Sequence, residues 1–172
     1  MLLRGIVAAA FGLGTVFWQQ PSDRGGAIAT ALYLLLSAAT VLWLRKALTP
    51  AAATVHKSLV PETVFLALAG LVALVLSGPM PFAIAVGLGL LLAGASAVLA
   101  GWRARRDFQL AKDVLSMGVV TLATGIVLPL FIPLGTKALL GVVGGSAIIL
   151  AVLLLLAALS YRHDARQSDQ RP

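Results

Sequence analysis

Six apolar stretches, at about residues 2–18, 26–44, 59–78, 80–101, 114–134 and 138–161, follow one another with no polar segment between them long enough to fold by itself. Each holds 17 to 24 residues, the length at which a helix satisfies its own backbone hydrogen bonds across a hydrocarbon core of about 30 Å. Strands of a membrane barrel would be shorter and would alternate in polarity. The expected fold is therefore all-α and polytopic, six transmembrane helices in one membrane domain that uses residues 1–172. Charge agrees with this: 11% of residues are charged, against about 25% in a soluble domain. The chain has no cysteine, which removes disulfides, thiolate catalysis and cysteine metal sites from consideration.

The connectors alternate in kind. Three are tight turns rich in Gly and Pro (Pro21, Gly25 and Gly26; Gly78, Pro79 and Pro81; Pro133 and Gly135), and two are longer and charged. Three helical hairpins follow, at about 2–47, 59–103 and 113–161, with a polar tail at 162–172. If the N-terminus lies inside, the inner side holds eleven of the thirteen basic residues: Arg4, Arg45, Lys46, Lys57, Arg103, Arg105, Arg106, Lys112, Arg162, Arg166 and Arg171. Arg24 and Lys137 fall outside. This division obeys the positive-inside rule, predicts both termini in the cytoplasm, and makes Arg45, Lys46, Arg103, Arg105 and Arg106 the main topology determinants. Trp18, Trp43 and Trp102 fall at predicted helix ends, as interfacial aromatics do. A cleaved signal peptide is the competing reading of the first stretch, but it ends in Phe17, Trp18, Gln19 and Gln20, with no small-residue cleavage site.

An internal repeat underlies the hairpins. Gly12, Gly70 and Gly125 stand 58 and 55 residues apart, and each precedes a proline (Pro21, Pro79, Pro133) by eight or nine residues. Gly5 and Gly118 precede their partners by seven residues, Thr63 takes that place in the middle unit, and Gly87 and Gly94 are again seven apart. Seven residues is nearly two turns, so each pair shares one helix face and forms a groove for a neighbouring helix. Gly141 and Gly145 form a GxxxG pair, expected to serve internal packing. Pro129 removes the hydrogen bond to the Gly125 carbonyl and predicts a kink late in the fifth helix.

"LLRGIVAAAFGLG" (2–14) with Pro21, "PETVFLALAGLVALVLSGP" (61–79) with "GLLLAGASAVLAGWRARRDF" (89–108), and "VLSMGVVTLATGIVLPL" (114–130) together resemble the HdeD-like short-repeat membrane proteins, a family associated with acid resistance in enteric bacteria. The resemblance covers roughly residues 2–160 and implies three tandem hairpins in a bacterial cytoplasmic membrane, with no established enzymatic site to carry over. Thr63 departs from the glycine expected after Glu62.

Ionisable groups within the apolar stretches are few. Arg4 and Glu62 occupy equivalent repeat positions, each eight residues before its glycine, about one turn inside the cytoplasmic end. They are expected either to pair between the first and third helices or to snorkel separately to the headgroups. His56 and His163 lie in polar segments without carboxylate or cysteine company, so no metal or cofactor site is expected. Mid-membrane polarity consists of hydroxyls (Thr15, Thr30, Ser37, Thr40, Ser96, Thr121, Thr124, Ser146), each able to bond a carbonyl of its own helix. No relay of Asp, Glu or His crosses the centre, and no nucleophile with a base or phosphate-cradling loop is visible. The expectation is a non-enzymatic membrane protein of envelope or acid stress, or of membrane organisation. Its partners would be lipids and other membrane proteins or a second copy, and not nucleic acid. The alternative is a channel or carrier for a small solute, with a hydroxyl-lined path between the repeats.

Overall fold

The computed structural model describes residues 2–47, 53–76, 78–104 and 109–168. Six α-helices run in order: α1 Leu2–Phe17, α2 Asp23–Ala47, α3 Ala53–Val75, α4 Pro79–Ala104, α5 Gln109–Val127 and α6 Gly135–Ser168. A 3₁₀ segment, Leu128–Leu134, joins α5 to α6. Among the described residues there is no strand.

Among the described residues, three stretches rather than six are long and apolar enough, by length and composition, to cross a membrane: Asp23–Trp43, Pro79–Arg103 and Ala111–Ser160. Leu2–Phe17 and Val60–Val75 are apolar but shorter. The last of the three spans 50 residues and is folded back on itself, because it contains the 3₁₀ segment, and Met117 of α5 packs beside Leu150 and Leu154 of α6. Pro129 therefore ends α5 instead of kinking it. The prolines at 129 and 133 cannot donate to a continuing helix, and the chain tightens into the 3₁₀ turn. Gly135 then takes φ 79° and Gly78, before α4, takes φ 99°, backbone angles at which a side chain would be strained. At the remaining tight turn, Ser22 caps α2, its Oγ accepting from the Gly25 N–H at 3.1 Å.

The helices alternate up and down and close into a ring. Each contacts its neighbour in sequence, and α1 packs along α6 to complete the circle. The most extensive contacts are α4 with α5 and α1 with α6, which join different hairpins, whereas α1 with α2 and α5 with α6 touch less. Gly5 faces Leu154 and Leu155 while Gly12 faces Gly144 and Ile148, the pattern of two antiparallel helices. Phe11 of α1 stacks on Tyr33 of α2 with ring centroids 4.4 Å apart.

Alanines occupy much of the inside, beside buried Leu34, Leu128, Leu139 and Leu154, and many large apolar side chains face out. Ala31, Ala73, Ala83, Ala93 and Ala147 are fully buried, while Leu13, Phe17, Leu68, Val75, Leu130 and Leu156 are exposed. So many exposed large apolar side chains depart from the ordinary surface of soluble proteins, and the small buried residues have a physical reason in lipid. Tails are as apolar as leucine, so burying leucine gains little, and helices associate through the close van der Waals contact that small residues permit. The apolar helices and this outward surface are those of a membrane protein.

Candidate functional site

The glycines set the spacing of the ring. A Cβ on Gly94 would fall on the Leu122 backbone, one on Gly125 would fall on the Leu91 backbone, and one on Gly118 would come within 2.7 Å of the Val98 nitrogen. These contacts, with Gly87 against Gly125, bring α4 and α5 to backbone contact. Gly12 meets Ile148 and the Gly144 carbonyl, and Gly70 meets Leu35 and the Ala31 carbonyl. Pro129 rests against Gly87. Gly141 and Gly145 do not serve internal packing: both are exposed, and a Cβ on either would meet nothing within 4 Å. Gly144, about 100° around the helix axis from Gly145, is the glycine that packs, directly against Thr15.

Up-and-down alternation gathers the basic helix ends on one side of the bundle. Arg4 begins α1, Arg103 ends α4 and Lys112 begins α5, while Arg24 and Lys137 lie at the opposite end. Arg105 and Arg106, and the side chains of Arg45 and Lys46, lie outside the described residues. At the opposite end the Thr136 hydroxyl donates to the Asp23 carboxylate, tying the start of α6 to the start of α2.

At the basic end Arg4 and Glu62 pair. The Arg4 Nη2 donates to the Glu62 Oε1 at 2.7 Å, with the two side chains 18% and 7% exposed. Behind the pair lies a cavity of about 10 Å³, which is about what one water molecule needs. All six helices line it. Its polar wall is Arg4 of α1, Tyr33 and Ser37 of α2, Thr121 and Thr124 of α5, and Ser146 of α6; Leu34, Leu66, Leu90, Val143 and Leu150 complete it. The Tyr33 and Ser37 side chains share a hydrogen bond. Thr121, Thr124 and Ser146 donate to the carbonyls of Met117, Val120 and Val143 at 2.9, 2.8 and 2.8 Å. Their protons are thus used within their own helices, which leaves acceptor lone pairs for the chamber. Thr15, Thr40 and Ser96 bond back to their helices in the same way.

Thr30 is the exception. Its hydroxyl is fully buried and has no partner among the described residues. Because an unsatisfied buried hydroxyl is costly, Thr30→Val is expected to raise stability by about 1 kcal/mol, read as a higher unfolding midpoint in detergent; an unchanged or lower midpoint would show that the hydroxyl has found a partner.

The sequence placed Arg4 and Glu62 in the same repeat register, and the structure brings them together. It did not single out Tyr33, whose ring reads as one more apolar position, nor the convergence of Ser37, Thr121, Thr124 and Ser146 on one point. The polarity of these hydroxyls was visible; the facing was not. Among the described residues, no group of histidine and carboxylate side chains is placed to hold a metal.

Residues 116–170 match the model of a short repeat of unknown function, DUF308. The matched short repeat runs from α5 through the 3₁₀ turn and along α6, about a third of the chain, and carries Thr121, Thr124 and Ser146 of the chamber wall. No curated protein and no solved structure matches the chain.

Proposed function

We propose that this protein is a non-enzymatic, six-crossing protein of a bacterial cytoplasmic membrane, with both termini inside, which acts in envelope or acid stress or in membrane organisation through contacts with lipid or other membrane proteins. One observation carries the reading. Helices held at backbone contact by Gly12, Gly94 and Gly125 leave inside the ring a chamber with room for about one water, while large apolar side chains face outward. The working surface of such a molecule is its outside. The six-crossing arrangement is supported by the alternation of helices and by basic residues at one end; α1 and the apolar part of α3, being short, span by local thinning of the bilayer and snorkelling of their flanking residues. The stress role rests on the resemblance of residues 2–160 to the HdeD-like short-repeat proteins.

A second reading, a carrier for a small solute, is favoured by the convergence of Ser37, Thr121, Thr124 and Ser146 on the same chamber. Single cysteines at positions 121, 124 and 146, in a chain with none of its own, separate the two. In membranes, a bulky water-soluble thiol reagent is expected to leave all three unmodified. Rapid modification of all three would replace the packing protein with the carrier.

A further inference from the structure

We propose that the Arg4–Glu62 pair is a latch on a water-holding chamber, closing its mouth at the basic end of the bundle and opening it when the pair separates; this inference rests on the membrane-embedded, internally closed reading above. Arg4 does three things at once: it lines the chamber, donates to Glu62, and keeps 18% of its side chain exposed. It therefore stands between the chamber and the exterior. Away from that mouth Val86, Leu128 and Leu139 are fully buried in the main apolar cluster. The chamber is thus a pocket entered from one end.

Its chemistry suits water. A buried water needs two to four polar partners. Arg4 has five N–H donors, of which one is engaged with the Glu62 Oε1, and the hydroxyl oxygens of Thr121, Thr124 and Ser146 keep free lone pairs toward the same space. A water there accepts from the guanidinium and donates to hydroxyl oxygens of α5 and α6, which links the latch to the opposite wall.

The latch has two states because two solutions for these charges lie close in free energy. Paired, each charge gains its counterion but loses solvation. Separated, Arg4 in the first turn of α1 extends its stem along the helix and places the guanidinium among the lipid headgroups, and Glu62 is hydrated through the opened mouth. Pairing and snorkelling, which read as rival fates of Arg4 in the sequence, are the closed and open states of one device.

Silver ions, small enough to follow water and reactive with thiols, test this. Ser146→Cys reports on the chamber, and Val86→Cys, buried outside it, reports on general loosening. Each is made in the otherwise unchanged chain and with Glu62→Gln or Arg4→Gln, reconstituted in vesicles, treated with silver, then unfolded and alkylated with a fluorescent maleimide to count the remaining thiols. With the pair intact, silver should reach position 146 slowly; with either variant, about tenfold faster, reflecting the shifted open population, while position 86 is unchanged. The latch is overturned if neither variant speeds reaction at 146, if 146 and 86 quicken together, or if silver reaches 146 at once with the pair intact. In the last case, continued exclusion of the bulky reagent leaves the packing reading standing while the latch falls, and entry of both reagents removes both.

Discussion

Gly94→Leu is expected to abolish the folded bundle. Even the first side-chain atom at position 94 would clash with the Leu122 backbone, and a backbone cannot rotate aside as a side chain can. Gly94→Ala, which adds that one atom, is expected to lose about 3 kcal/mol, the upper part of the usual cost of overpacking. The same holds for Gly125→Ala, whose Cβ meets the Leu91 backbone. Because Gly94 and Gly125 serve one α4–α5 contact, the two alanine changes should cost less together than the sum of their separate effects once the helices have been pushed apart. Gly145→Ala is the matched control, since its added methyl meets nothing within 4 Å. Unfolding midpoints in detergent with increasing SDS give the comparison. Equal midpoints for Gly94→Ala and Gly145→Ala would mean that α4 and α5 do not approach as described.

The second large effect is at the ion pair. Glu62→Leu leaves the Arg4 guanidinium, 18% exposed, without a counterion in an apolar wall, a change that costs about 3–5 kcal/mol for a buried pair. Because the guanidinium can leave that wall for the headgroups, the expected loss falls below that range, at about 1–2 kcal/mol. The double variant Arg4→Met/Glu62→Leu should recover most of it, because replacing both partners with apolar side chains removes the uncompensated charge as well as the attraction. A double-mutant cycle gives the coupling directly. Additive effects of the two single changes would show that the side chains act independently, and the latch would lose its basis.

Much of this molecule is legible in its sequence. The apolar stretches, the glycine and proline turns, and the common register of Arg4 and Glu62 in a repeated unit all appear as spacing along the chain, and spacing is what a sequence records directly. Pro129 shows where such reading weakens. A single proline permits either a kink or a stop, and the choice was made by a second proline at 133 and by Gly135 at φ 79°, which together turn the chain. Gly141 and Gly145 show the same limit on a helix surface: GxxxG spacing identifies a smooth face without stating what it faces. The neighbouring Gly144 meets Thr15 because of how α6 is rotated against α1.

By itself, then, the chain determined that it would be helical and apolar, where its helices would turn, and which ends would be basic, because hydropathy, proline and charge act through windows of local composition. The tertiary structure alone decided that α1 would close the ring on α6, that α4 and α5 would meet at their backbones, and that hydroxyls from α2, α5 and α6 would share a chamber with Arg4. In lipid the hydrophobic effect does not choose which face of an apolar helix turns inward. That choice falls to shape complementarity among small residues far apart in the chain, a property of pairs of helices that no single segment contains.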